Sequence, residues 1–212
     1  MVSSAALAGF ALVALGMVCT PGPNMIYLLT RSIMQGRMAG FISLLGVVAG
    51  FLVYMTCAAL GVTALLMAVP FAYGALQWAG ALYLLWLAWN AVKPGARSVL
   101  EPRRDLMVDG PRKLFLMGFV TNLLNPKIAV LYLSLLPQFI DPAKGHVLGQ
   151  GIQLGLLQIS VSFSVNIVIV FTAGSLARVF ATRPSWLKMQ RWLMAGVLTG
   201  LAVRLVMDRR PA

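Results

Sequence analysis

Six long apolar runs make up most of this sequence and limit its possible folds. They cover residues Ala5 to Thr30, Ala39 to Ala68, Phe71 to Val92, Leu114 to Pro137, Val147 to Ala177 and Trp192 to Met207. A helix needs about 20 mostly apolar residues to cross a hydrocarbon core about 30 Å thick. With 60% hydrophobic and 10% charged residues, the chain is too apolar for an ordinary soluble domain. These runs predict an all-α integral membrane protein with six transmembrane helices.

The positions of Lys and Arg predict how these helices are oriented. The connections after the first, third and fifth runs hold 12 of the 17 basic residues, and the other two connections hold only Lys144. Because excess Lys and Arg marks the cytoplasmic side, both termini are expected outside the cytoplasm. Arg204, Arg209 and Arg210 favour the alternative, an odd number of spans with the C-terminus inside. This distribution accounts for the net charge of +12 without a nucleic-acid partner.

The chain divides into two halves of three runs each, residues 1–92 and 114–212, joined by a polar, cytoplasmic linker at residues 93–113. PGPNMIYLL in the first half is matched by LNPKIAVLYL in the second, so that Pro23 and Pro126 interrupt the first and fourth runs. Glycines recur with the same spacing at Gly36, Gly40 and Gly46 and at Gly145, Gly149 and Gly155. Three spans per half reverse the direction of the second half, which predicts a 3+3 inverted repeat. The alternative is six generic helices whose glycines let them approach closely.

The proline motifs predict two broken helices whose ends face a binding site. Proline inside a helix removes a donor and costs ~3 kcal/mol, and in lipid the freed backbone groups must meet protein, water or a ligand. Free carbonyls at one half-helix end suit an ammonium, and free N–H groups at the other suit a carboxylate. We therefore predict a site for a zwitterion, formed by Thr20, Pro21, Gly22, Pro23, Asn24, Tyr27, Asn122, Asn125, Pro126 and Lys127. The alternative is an ordinary kink satisfied by Ser, Thr and water.

Lys127 stands near mid-depth, where a charged side chain costs at least ~2.5 to 3.5 kcal/mol on insertion scales. Three interpretations remain open from the sequence: it holds a substrate carboxylate, it caps carbonyls at the break, or it marks a shorter span end. It is also a candidate for carrying a coupled proton. Further along, Gln158, Ser162 and Asn166 form a polar stripe on one helix face. With Tyr54 they are candidates for lining a translocation path, although such residues also hold helices together.

Other classes of function have weaker support. A six-span thiol-redox carrier is the main alternative, but Cys19 lies beside the first break whereas Cys57 lies in the second run. His146 is the one histidine and no Asp or Glu lies within the apolar runs, so no metal site is expected. No nucleophile with a neighbouring base is evident, so we predict no catalytic residue, no enzyme activity and no cofactor.

TPGPNMIYLLTRSIMQGRMAGFISLLGVVAGFLVYM and GFVTNLLNPKIAVLYLSLLPQFI resemble the two signature regions of the lysine exporter (LysE/RhtB) family of amino-acid efflux proteins, and AGALYLLWLAW resembles it weakly. The family motifs fall on Pro21 to Asn24 and on Asn125 to Lys127. The resemblance implies a bacterial inner-membrane exporter of amino acids or close derivatives, working by proton antiport and often as an oligomer. The proton-carrying residue is not identified, because carboxylates are missing from the apolar runs.

Energetics favours a neutral substrate. A zwitterion crosses without net charge, so one proton entering in exchange releases ~2.3 kcal/mol per 100 mV of inside-negative potential. Export of a cationic amino acid would consume the same amount, and Lys127 would also repel a cationic side chain. The sequence therefore predicts a neutral amino acid, protons and membrane lipid as partners, with a homo-oligomer possible from the resemblance.

Overall fold

The computed structural model describes residues 1–20, 22–68, 70–93, 108–182 and 184–207, and no strand occurs among them. Pro21 and residues 94–107, most of the predicted linker, lie outside the described residues. The helices are α1 (Ser4–Cys19), α2 (Pro23–Gln35), α3 (Arg37–Ala68), α4 (Pro70–Val92), α5 (Pro111–Leu123), α6 (Pro126–Val130), α7 (Val147–Thr182) and α8 (Pro184–Met207). The prediction of an all-helical protein is confirmed for the described part of the chain.

The chain bends at both predicted proline breaks. The bend between α1 and α2 is 54°, and the bend between α5 and the segment Lys127–Phe139 is also 54°. Both α2 and α6 begin with a proline, a favoured first helical residue because its N–H would lack an intrahelical partner anyway. After α6 the chain continues as a π-helical turn, Leu131–Leu135, and a 3-10 turn, Leu136–Phe139.

The lengths of the described helices suit a membrane protein. Arg37–Gly61 and Val147–Ala173 are each long and apolar enough to cross a bilayer, and there are up to four such spans if each bent pair counts as one. The third and sixth apolar runs are helical, as α4 and α8. The total of six spans stays a prediction, as does the division into two repeats.

Close helix packing depends on small residues. α3 packs against α5 and α7, whereas α4 packs against α8. A Cβ added at Gly46 of α3 would overlap the main-chain carbonyl of Phe115 in α5, and a Cβ at Gly118 of α5 would overlap that of Ser43. Such contacts let two backbones approach closely and gain dispersion energy where lipid offers no hydrophobic drive.

Gly36 and Gly145 adopt nearly the same backbone conformation, although they lie in different halves of the chain. Gly36 follows α2 with φ 87° and ψ 171°, and Gly145 follows a 3-10 turn at Pro142–Lys144 with φ 65° and ψ −172°. L residues with side chains rarely adopt such angles, so glycine is the residue that fits both connections.

Candidate functional site

Lys127 of the second break contacts the end of the first. Its Nζ donates hydrogen bonds to the main-chain carbonyl oxygens of Met17, at 2.9 Å, and Thr20, at 2.5 Å. The last carbonyls of a helix lack intrahelical donors and carry partial negative charge, so a buried ammonium satisfies them well. Lys127 is buried, with 6% exposure. Of its three interpretations, capping of the break is the one that the structure shows directly.

The two asparagines beside the prolines have different surroundings. Asn125 is the N-cap of α6, and its Oδ1 accepts a hydrogen bond from the Lys127 main-chain N–H at 3.1 Å. Asn125 therefore fixes the start of the half-helix that carries Lys127. Asn24 is buried, with 7% exposure, yet its Oδ1 has no hydrogen-bond partner among the described residues. The first turn of α2 receives no side-chain cap either.

A small cavity lies beside Lys127. Its polar lining comes from both breaks and from α7: Asn24, Lys127, Gln158, Ser162 and Asn166. The cavity volume is about 20 Å³. A cavity of that size accommodates about one water molecule and no amino acid. The structure therefore represents a conformation that is closed around these side chains.

The predicted polar stripe of α7 forms a connected network. Tyr132 Oη donates to Gln158 Oε1 at 2.6 Å, and Gln158 Nε2 donates to Ser162 Oγ at 2.8 Å. Asn166 Nδ2 donates to the Ser162 carbonyl oxygen at 2.8 Å. The stripe thus both lines the cavity and ties α7 to the π-helical turn, so the two interpretations left open by the sequence are compatible.

Tyr54 does not line this cavity in the closed conformation. Its Oη donates to the carbonyl oxygen of Leu123, the last residue of α5, at 2.9 Å, and its ring stacks on that of Tyr132 at 5.7 Å between centroids. Tyr54 therefore caps the free end of the second break much as Lys127 caps the first.

Three further residues of the predicted site have other contacts. Thr20 Oγ1 donates to the carbonyl oxygen of Gly16, one turn earlier in α1, at 2.7 Å. Tyr27 lies one helical turn after Pro23, and its Oη donates to the carbonyl oxygen of Leu114 in α5 at 2.7 Å. Asn122 is fully buried against Gly50, and neither atom of its amide has a partner among the described residues.

The remaining residues of the predicted site shape the backbone. Pro23 and Pro126 start their helices. A Cβ at Gly22 would lie 3.1 Å from Lys127 Nζ, so glycine leaves room for the lysine that crosses between the breaks.

A buried ion pair at the end of α2 was not predicted as part of any site. Arg31 Nη2 lies 2.7 Å from Asp109 Oδ2, and Lys113 Nζ lies 2.6 Å from Asp109 Oδ1. The hydrogen bond from Lys113, together with the positive charge of Arg31, holds the pKa of Asp109 below its usual value. The pair joins α2 to the end of the linker, at residues just before α5 and in its first turn. In the sequence, Arg31 is one of the basic residues whose distribution predicts which side of the membrane each connection faces.

At the other end of α1 an aromatic pair borders a surface pocket, which Phe139 lines. Phe10 is fully buried, and its ring centroid lies 5.1 Å from that of Phe139. The surface pocket has a volume of about 320 Å³, and its lining includes Gly9, Asp141 and Gln150. Ala14, one turn after Phe10, lines the buried cavity.

Comparison with known proteins identifies the family. The model of the family described as LysE type translocator matches residues 15–209. Similar curated proteins include the leucine efflux proteins of Enterobacter sp. (strain 638), 29% identical over 191 residues and 89% of each chain, and of Klebsiella pneumoniae, 26% identical over 195 residues and 91% and 90% of the chains. An uncharacterized membrane protein of Pseudomonas aeruginosa is 28% identical over 193 residues, 89% of this chain and 86% of its own.

No solved structure gives a significant match. The family assignment does not depend on one, because the matching model covers most of the chain. The apolar helices fit the membrane location that the family implies. The chain therefore belongs to the LysE type translocator family and is a multi-pass membrane transporter, not an enzyme.

Proposed function

We propose that this protein exports a neutral amino acid, of which leucine is the best candidate, from the bacterial cytoplasm across the inner membrane. The observation that carries the proposal is the contact between the two breaks, in which buried Lys127 bonds the end of α1 beside a polar cavity. Discontinuous helices of this kind form substrate sites in many secondary transporters. Two similar proteins are named leucine efflux proteins, which supports the choice of substrate.

The carboxylate of the substrate is proposed to bind Lys127. An ammonium group has three donors, and two of them are used on Met17 and Thr20. Among the described residues no Asp or Glu forms an ion pair with Lys127, so its charge lacks an anionic partner. A carboxylate supplies both the missing charge and the missing acceptor. The uncapped N–H groups in the first turn of α2 supply further donors on the same side.

This arrangement changes one part of the sequence-based hypothesis. The carbonyls at the end of α1 were expected to receive the substrate ammonium, but Lys127 already bonds two of them. A second cation beside Lys127 is disfavoured by charge repulsion. The ammonium of the substrate therefore binds elsewhere in the site.

A neutral, aliphatic side chain fits the rest of the lining. Ala14, Met17, Phe51 and Leu131 supply apolar surface around the cavity. Lys127 repels a cationic side chain, which favours leucine over lysine or arginine. Apolar lining with a few polar groups is the usual composition of a small-molecule site.

Transport is proposed to proceed by alternating access between two related halves, residues 1–92 and 114–212. The equal bends of 54° and the matching conformations of Gly36 and Gly145 support the inverted repeat. The end of α2 then faces the cytoplasm and both termini face the periplasm. Opening inward requires separation of Arg31 from Asp109, and opening outward requires separation of Phe10 from Phe139.

Export is proposed to be driven by proton antiport. Lys127 lines the cavity, but a bound carboxylate stabilises its ammonium form, so a proton carried by Lys127 would leave together with leucine. The entering proton is therefore proposed to bind at a group other than Lys127. A zwitterion leaves without net charge, so each proton that enters in exchange carries one positive charge inward, and the inside-negative potential drives the exchange.

The proposal is tested in proteoliposomes loaded with radiolabelled leucine, valine, lysine or arginine. The expected result is efflux of the neutral amino acids that becomes faster when a pH gradient drives protons inward. Lys127→Met is expected to abolish efflux, whereas Lys93→Met, at the end of α4, serves as a matched control. Absence of efflux for the whole panel would overturn the proposed function, and faster efflux of lysine or arginine would overturn the preference for a neutral substrate.

A further inference from the structure

Asn24 and Asn125 both flank a proline of a break, but they have different hydrogen-bond states. The Asn125 side chain is engaged as an N-cap, with its Oδ1 bonded to the Lys127 main-chain N–H. Asn24 lines the cavity, is 7% exposed, and has an Oδ1 without a donor among the described residues. A buried acceptor without a donor is unfavourable, so an acceptor of this kind beside a cavity indicates a missing ligand.

We infer that Asn24 Oδ1 accepts a hydrogen bond from the substrate α-ammonium, and that this contact selects α-amino acids over carboxylic acids that lack the ammonium. The inference rests on the proposed function and assigns one side chain a role in it. Asn125, in contrast, holds the broken end in place and does not contact the substrate.

Comparison with several other acceptors at the cavity supports this assignment. The carbonyls of Met17 and Thr20 accept from Lys127, and Gln158 Oε1 accepts from Tyr132. The Ser162 hydroxyl accepts from Gln158. These acceptors have donors already, whereas Asn24 Oδ1 does not. An ammonium is the strong donor that a zwitterion brings into the site.

A neutral amide also suits this position better than a carboxylate. Asn24 and Lys127 line the same cavity, so an aspartate at position 24 would offer Lys127 an internal anionic partner. That ion pair would compete with the substrate carboxylate. An asparagine accepts from the ammonium without competing for Lys127, and it leaves the charge of Lys127 available to the carboxylate.

The test measures inhibition of labelled leucine efflux by unlabelled leucine and by 4-methylpentanoate, which is leucine without its ammonium. In Asn24→Leu, we expect the half-inhibitory concentration of leucine to rise at least about tenfold, as loss of a hydrogen bond to a charged group implies. That of 4-methylpentanoate should change less than about twofold, because it never made this contact. Asn90→Leu is the matched control, since Asn90 bonds Trp86 and Lys93 at the end of α4.

Two outcomes overturn the inference while leaving the proposed function intact. One is an unchanged leucine value in Asn24→Leu, whatever 4-methylpentanoate does. The other is an equal rise for both compounds, which would mean that Asn24 shapes the site without binding the ammonium. If Asn24→Leu does not fold, Asn24→Ser, which retains a shorter acceptor, should give the same direction of change with a smaller size. Absence of leucine efflux from the unaltered protein would instead refute the proposed function itself.

Discussion

Replacing Asn122 by leucine should stabilise this protein. Asn122 is fully buried, and neither its Oδ1 nor its Nδ2 has a partner among the described residues. Burying a polar group without a hydrogen bond costs about 1–3 kcal/mol, and an apolar side chain of similar shape removes that cost. Leucine branches at the same atom as asparagine and meets the same backbone at Gly50. We therefore expect Asn122→Leu to raise the free energy of unfolding by about 1–3 kcal/mol.

Asn125→Leu is the matched comparison, three residues further along the chain. Asn125 is just as buried and its Nδ2 also lacks a partner among the described residues, but its Oδ1 caps α6 through the Lys127 main-chain N–H. Loss of such an N-cap costs about 0.5–2 kcal/mol. Asn125→Leu should therefore raise the free energy of unfolding less than Asn122→Leu does.

The assay is thermal unfolding of the purified protein in one detergent, followed by circular dichroism for the unaltered protein and both variants. A higher midpoint for Asn122→Leu, with a smaller change for Asn125→Leu, would support the cost assigned to the unpaired Asn122 amide. A lower midpoint for Asn122→Leu would refute it, because the amide would then have a stabilising partner. Leucine efflux of each variant shows whether either change also alters transport.

Three further predictions concern the ion pair, the helix contacts and coupling. The pKa of Asp109 is lowered in the folded protein, so its stabilisation is present at neutral pH and is lost as pH falls below about 4; Asp109→Asn should show a smaller acid-induced fall in the unfolding midpoint. Gly46→Ala should destabilise the protein by about 1–3 kcal/mol, because the added Cβ overlaps the Phe115 carbonyl. Gly149→Ala in α7 adds a Cβ in open space, so it should stabilise the protein by about 0.5–1 kcal/mol in the same unfolding assay. Lys127→Arg keeps the positive charge that binds the carboxylate, so vesicle assays should show leucine efflux that a pH gradient still stimulates.

The breaks were predictable from the sequence because their cause is local. Proline lacks the donor that a helix interior needs, so Pro23 and Pro126 mark the half-helix starts without knowledge of the tertiary structure. The stripe of Gln158, Ser162 and Asn166 was predictable for a similar reason, since four-residue spacing places side chains on one helix face. Both kinds of signal lie within a single segment.

The contacts between segments were not predictable in this way. Lys127 and Met17 are 110 residues apart, and only packing of the two breaks shows that the lysine caps α1. Arg31 lies in the first half and Asp109 in the linker, and no local pattern connects them. Tyr27 was assigned to the binding site because it follows the motif closely, but one further helical turn takes its hydroxyl to Leu114.

Leucine is proposed to bind between the two breaks with its carboxylate on Lys127, and a crystal structure of the protein with leucine bound would show this. We expect a leucine carboxylate oxygen about 2.7–3.2 Å from Lys127 Nζ, with the α-ammonium at Asn24 Oδ1 and the cavity enlarged around the side chain. Leucine bound elsewhere, with Lys127 unchanged on Met17 and Thr20 and the cavity still closed, would contradict it.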